Sequence, residues 1–155
     1  MSEFKYKFCK THFKVAETFA QMSYSKRKKV GAVLVTPDNT RILLTGYNGT
    51  LPGFDNICEK EVFSSDYDKI LVTLPEVIHA EENIIAFSAK HGISTLGCNL
   101  YTTLSPCIMC AKLIINSGIK RVFYKEKYRD TSGLELLEKA QIEVIQYKDL
   151  YKYGI

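Results

Sequence analysis

No run of residues in this sequence is long and apolar enough to cross a bilayer, and the lysine-rich start, Met1 to Lys14, lacks the hydrophobic block of a secretion signal. No membrane partner is expected, and the cytoplasm is the default compartment. Disulfide chemistry is also missing from the pattern: five cysteines is an odd number without a framework spacing, which fits a reducing environment. A strong excess of one charge is absent too. The net charge of +4 falls short of the basic footprint of a nucleic-acid binder, so no nucleic acid is expected as a partner. The mild surplus gathers in Lys26-Arg27-Lys28-Lys29 and in positions 120 to 129, and it suits a phosphorylated small molecule, although solvated surface is the ordinary role of a lysine run. There is no internal repeat and no low-complexity segment. The 155 residues fit one domain, 1–155, with a continuous core.

What the chain does carry is concentrated between His79 and Cys110. His79-Ala80-Glu81 opens one apolar-periodic segment, and Pro106-Cys107-Ile108-Met109-Cys110 opens another. Two helix N-termini therefore face one point, one bringing a histidine and a carboxylate, the other two thiols. Cysteines three apart on a helix share a face and can touch one ion. A helix N-terminus favours the thiolate, the form that a metal binds. Zn²⁺ suits a mixed His and Cys set, and the three ligands His79, Cys107 and Cys110 leave a fourth position for water. Glu81 is then better placed beside that water than on the metal. The order H-x-E followed by P-C-x-x-C is recognised as the signature of zinc-dependent nucleobase deaminases. In that chemistry a metal acidifies water from a pKa of about 15.7 toward roughly 7. Glu81 would carry protons from the water to the ring and then to the departing amine, which leaves as ammonia.

Plainer explanations exist for each part. A C-x-x-C with one His also builds a closed structural zinc site, with Cys58, Cys98 or His91 as fourth ligand, but that leaves H-x-E without a purpose. A thioredoxin-like redox pair needs neither H-x-E nor a partner helix. Glu81 by itself would be an ordinary first-turn glutamate.

Along the chain, Phe13, Ala16, Phe19 and Ala20 predict a helix over 10–22, with His12 at the surface or in a cap. Val30 to Val35 reads as a strand buried on both faces, Pro37-Asp38-Asn39 as a turn, and 41–47 as the hairpin partner. Gly46 to Gly53 is a glycine- and proline-rich loop of a kind that often binds ligands. Weak periodicity over 54–77 predicts an irregular or lid-like insertion. Ile84, Ile85, Phe87 and Ala89 support a buried helix over 79–90. Further elements are a strand at 98–104, a helix at 107–116, a strand at 119–124, a helix at 132–140 and a strand at 142–147. Right-handed crossovers then give a three-layer α/β/α sandwich with a mixed five-stranded sheet, antiparallel at its start.

Nearly the whole chain resembles the deoxycytidylate (dCMP) deaminase family of the cytidine deaminase superfamily. The matching stretches are Lys29 to Val33, Gly46 to Gly49, His79 to Asn83 and Thr103 to Lys112. The resemblance implies a zinc-dependent hydrolase that converts dCMP to dUMP and so supplies thymidylate synthesis. It implies His79, Cys107 and Cys110 as zinc ligands and Glu81 as proton shuttle. It places Asn48 on the deoxyribose hydroxyl, Tyr124 by the pyrimidine, and Ser23 and Arg27 at the 5′-phosphate. It also implies a homohexamer activated by dCTP with Mg²⁺ and inhibited by dTTP, with Gly46 and Gly49 in the effector loop, although the segment between Cys58 and His79 is shorter than in longer relatives. A second structural zinc near Cys58 would need ligands that the sequence does not supply convincingly. Two rivals share parts of the pattern: a tRNA adenosine deaminase, and a non-catalytic binding module stabilised by zinc.

Overall fold

The computed structural model describes residues 3–155; Met1 and Ser2, the first two residues of the lysine-rich start, lie outside the described residues. The central sheet has five strands. They are β1 (Gly31–Val35), β2 (Ile42–Tyr47), β7 (Asn99–Leu104), β8 (Arg121–Glu126) and β9 (Glu143–Gln146), in the order β2-β1-β7-β8-β9. β1 runs antiparallel to both β2 and β7, while β7, β8 and β9 are parallel. Parallel neighbours need helical crossovers, and these are α3 (Ile108–Asn116) and α4 (Ser132–Lys139). Two further two-stranded sheets stand apart from it: β3 (Gly49–Thr50) pairs with β6 (Val77–Ile78), and β4 (Glu59–Phe63) pairs with β5 (Lys69–Thr73). The remaining helices are α1 (Cys9–Ala20) and α2 (Ala80–His91). The three-layer mixed sheet expected from the pattern is the fold observed. None of the described helices is long and apolar enough to cross a membrane.

Two cores line the two faces of the sheet. On one, Ala80 and Ile84 of α2, Ala111 and Ile114 of α3, and Leu134 and Leu137 of α4 pack on Ala32, Leu34, Leu100, Val122 and Tyr124. On the other, Cys9, Phe13 and Ala16 of α1 pack on Val33, Tyr101, Phe123 and Ile145, with the Tyr101 and Phe123 rings stacked 4.3 Å apart. α1 lies close against β1 because position 31 is glycine; a Cβ there would strike the Ala16 carbonyl.

Three expectations need correction. The 54–77 segment is not irregular: β4 and β5 form a five-pair hairpin from Glu59–Thr73 to Phe63–Lys69. Its mostly exposed residues join neither core cluster, so the segment carries no buried-face periodicity. His12 is not at the surface; it is buried in the helix face, and its Nε2 meets the Asn39 carbonyl at 2.8 Å. In α2 the buried face is Ala80, Glu81, Ile84 and Ser88, whereas Phe87 and Ala89 point outward and Phe87 stacks on His91.

Candidate active site

The site lies beyond the C-terminal ends of β7 and β8, where crossovers leave a crevice in an open α/β sheet. His79 is the residue just before α2, and Cys107 the residue just before α3. Glu82 fixes the entry to α2: its carboxylate accepts the His79 backbone N–H at 2.8 Å. Nδ1 of His79 lies 3.4 Å from Sγ of Cys107 and 3.4 Å from Sγ of Cys110.

This spacing tests the ligand set. Zn–S near 2.3 Å and Zn–N near 2.0–2.1 Å in tetrahedral geometry put N and S about 3.6 Å apart. The observed separations fit one ion held by His79, Cys107 and Cys110. Hydrogen bonding with Cys110 pulls the Cys107 thiol down to about 4, and the Cys107 sulfur pushes the His79 ring up to about 9. The Cys110 thiol is pushed up in turn by Cys107 and by burial. Cys107 therefore favours the thiolate form that a metal binds. Cys110 is buried, Cys107 is half-buried and His79 is exposed, so the cluster opens on one side. Among the described residues it is the one His, Cys and carboxylate group with ligand spacing, and Cys58 joins none.

Glu81 sits beside the cluster without belonging to it. It is 3% exposed, and its Oε2 is 3.7 Å from the Cys110 sulfur. Burial pushes its carboxyl up to about 7, a value at which one group can both take and give a proton near neutrality.

A cavity of about 220 Å³ opens beside these groups. It is lined by His79, Glu81 and Cys107, by Ser25, Val30, Asn48, Val77 and Leu104, and by Arg27, Lys28 and Thr73, which are exposed at its rim. The α4 helix presses on the Pro106-Cys107 turn beside it through Gly133, where any Cβ would strike the Pro106 carbonyl.

The remaining candidate residues divide. Arg27 and Asn48 line the cavity. The Asn48 amide is already engaged with the chain: Oδ1 accepts the Val30 N–H at 2.8 Å and Nδ2 donates to the Lys28 carbonyl at 2.8 Å. One N–H and one lone pair of the amide remain. Ser23 does not line this cavity; its hydroxyl donates to the Asn48 carbonyl at 2.8 Å and accepts the Ser25 N–H at 3.2 Å, so it supports the rim from behind.

Tyr124 does not line it either. Its ring is in the core under the helices, and its hydroxyl points to Gln146 at 3.5 Å. The tyrosine at the cavity is Tyr128, whose N–H donates to Ser105 Oγ at 2.7 Å. Alternation along β8 decides this: Tyr124 and Val122 face the core under α2, α3 and α4, while Phe123 between them faces α1. Gly46 also departs from expectation. It lies inside β2 beneath α2, where a Cβ would come within 2.9 Å of Ile84 and 3.0 Å of the Ala80 carbonyl, so it serves close packing rather than an open effector loop. Gly49 pairs with Ile78 between β3 and β6.

The sequence matches the model of the cytidine and deoxycytidylate deaminase zinc-binding region over residues 7–126. It is 33% identical to the deoxycytidylate deaminase of Enterobacteria phage T4 over 169 aligned positions, covering 86% of each chain. It is 39% identical to the deoxycytidylate deaminase of Homo sapiens over 121 residues and spans 64% of that relative's length. The dCMP deaminase of cyanophage S-TIM5, solved in complex with dCMP and dUMP, superposes with a TM-score of 0.80 at 39% identity, covering 93% of this chain and 99% of that one.

Proposed function

Because the chain belongs to the cytidine and deoxycytidylate deaminase family, we propose that it deaminates dCMP hydrolytically, consuming water and releasing dUMP and ammonia. The observation that carries this reading is the buried, unligated carboxylate of Glu81 beside a three-ligand cluster that opens on a cavity. A zinc ion bound by His79, Cys107 and Cys110 would supply a polarised water at its open position.

The rest of the chemistry belongs to residues of the chain. Glu81 takes a proton from the attacking water and delivers it to the ring nitrogen next to the amino-bearing carbon. The water oxygen forms its bond to that carbon. Glu81 then takes the proton of the new hydroxyl and gives it to the amine; the C–N bond breaks as the C=O bond forms, and ammonia leaves. Val30, Leu104 and Tyr128 line the cavity, and an apolar wall with an aromatic ring suits a flat pyrimidine. The free N–H and lone pair of Asn48 suit a sugar hydroxyl. Arg27 at the rim suits the 5′-phosphate, which its planar fork can hold in two places.

The homohexamer and its control by dCTP with Mg²⁺ and by dTTP belong to the same reading. Sigmoidal dCMP dependence that dCTP makes hyperbolic supports control; indifference to both triphosphates removes it.

Ammonia release from dCMP, deoxycytidine and dCTP by zinc-loaded protein tests the activity, with Glu81→Ala as the inactive control. Turnover of dCMP that Glu81→Ala abolishes is the expected result. Activity confined to folded RNA would instead select a tRNA adenosine deaminase, and inertness toward every amine-bearing base a zinc-stabilised binding module.

A further inference from the structure

One cross-strand pair of the β4–β5 hairpin holds the rim of the cavity. Glu59 opens β4 and Thr73 closes β5, and the two are directly opposite each other. Glu59 is 8% exposed. Its Oε1 accepts the Ser25 hydroxyl at 2.6 Å, the Lys26 N–H at 2.9 Å and the Arg27 N–H at 3.0 Å. The Ser25 hydroxyl oxygen accepts the Lys28 N–H at 3.4 Å in turn. Thr73 accepts a hydrogen bond from the Arg27 guanidinium at 3.0 Å. One strand of the hairpin thus holds the backbone of the loop, and the other holds the tip of its arginine.

The loop needs such a brace. Residues 25–30 lie outside every helix and strand, so their backbone groups must find partners elsewhere. Residues 26–29 are four cations in succession, whose mutual repulsion favours an open, solvated chain. A buried carboxylate inside the turn offsets that repulsion and takes the orphan N–H groups in charge-assisted hydrogen bonds. Burial pushes the Glu59 carboxyl up, but the Ser25 hydroxyl and the Arg27 and Lys26 N–H groups outweigh it and hold the group below its ordinary value.

The arrangement also decides what the loop offers a ligand. The Lys26 and Arg27 N–H groups are directed at Glu59, so the loop cannot cradle an anion with them. Its contribution to the cavity is side chains, and Lys28 is paired with Glu126 at 2.5 Å. Arg27 is held by a neutral hydroxyl instead and forms no ion pair among the described residues, which leaves its charge available.

We propose that Glu59 is a positioning residue: with Thr73, it makes the hairpin a brace that fixes the Ser25–Lys28 loop and sets Arg27 at the cavity mouth to receive the substrate's 5′-phosphate. This rests on the dCMP reading above.

The test compares wild type, Glu59→Ala, Glu59→Gln, Arg27→Ala and the Glu59→Ala/Arg27→Ala double variant, all zinc-loaded. It measures kcat and KM for dCMP, the inhibition constant of deoxycytidine, which lacks the phosphate, and amide hydrogen exchange over residues 25–28. Glu59→Ala is expected to raise KM for dCMP roughly tenfold. Its kcat and its inhibition by deoxycytidine should stay within about twofold of wild type. Glu59→Gln, which keeps an acceptor oxygen, recovers part of the loss. Adding Arg27→Ala to Glu59→Ala costs little more, because both changes remove the same contact. Exchange at Lys26 and Arg27 quickens in both Glu59 variants.

Equal weakening of dCMP and deoxycytidine overturns the proposal, as does a loss confined to kcat or unaltered exchange at Lys26 and Arg27. A wild-type protein inert toward dCMP overturns the substrate reading and the phosphate role with it; the exchange measurement then judges the brace separately.

Discussion

His79 and Cys107 each stand immediately before a different helix, 28 residues apart in the chain, yet Nδ1 of one lies 3.4 Å from Sγ of the other. Both helices direct their N-termini, and so the positive ends of their dipoles, at this point. That field favours thiolates over thiols, which matches the lowered Cys107.

Metal content should be one zinc per chain, and removing it with a chelator should abolish ammonia release and lower the melting temperature, both restored by added Zn²⁺. Cys110→Ser should destabilise the protein more than Cys107→Ser. The hydroxyl at position 110 is buried, whereas that at 107 is half-buried. Elemental analysis and thermal melts of the two variants check this.

Glu81→Gln keeps the size of the side chain and removes its ability to exchange a proton. Turnover of dCMP should fall by roughly 10²–10⁴-fold while zinc content stays at the wild-type level. A variant that loses zinc in proportion to activity would show that Glu81 is a ligand.

Tyr128 and Tyr124 should separate cleanly. Tyr128→Ala removes the ring at the cavity and should raise KM for dCMP about tenfold, the scale of one lost stacking contact. Tyr124→Phe loses only a long contact to Gln146 and should leave both kinetic constants near wild type. The opposite ranking would return the pyrimidine contact to Tyr124.

Gly133→Ala places a methyl group against the Pro106 carbonyl and the Cys107 backbone. Overpacking of this kind costs about 1–3 kcal/mol, and here the strain falls on a ligand-bearing turn. A lower melting temperature and faster zinc loss to a chromogenic chelator are expected together.

His12 predicts a pH dependence. Its Nε2 must donate to the Asn39 carbonyl, which leaves Nδ1 buried without a partner among the described residues. Burial lowers the pKa from 6.5, so the folded state binds fewer protons than the unfolded state. The stability from neutral His12 is therefore fully present above pH 6.5 and is lost as pH falls below that toward the folded value. His12→Gln should flatten this part of the curve. Urea melts of both proteins between pH 8 and 5 measure it, and the zinc cluster cancels in the difference because both proteins share it.

Much of this protein was determined by the chain alone because its signals are local. Cys107 and Cys110 share a helix face wherever that helix lies, and Pro106 and Gly118 bound the helix by their own backbone preferences. The apolar run at Val30 to Val35 identifies a central strand without reference to its neighbours. From these came the element order, the mixed sheet, the three candidate ligands and the free carboxylate at position 81.

Only tertiary structure decided which other side chains reach the cavity. Tyr124 and Tyr128 differ by four positions, and it is the pairing of β8 with β7 and β9 that buries one ring while the turn after β8 presents the other. His12 is buried because Asn39, 27 residues away, brings a carbonyl to it. Glu59 reads as one exposed glutamate among several until the hairpin delivers it beneath residues 25–27. Each of these depends on contacts between distant segments, and the alternation of residues within a segment carries no record of its partner.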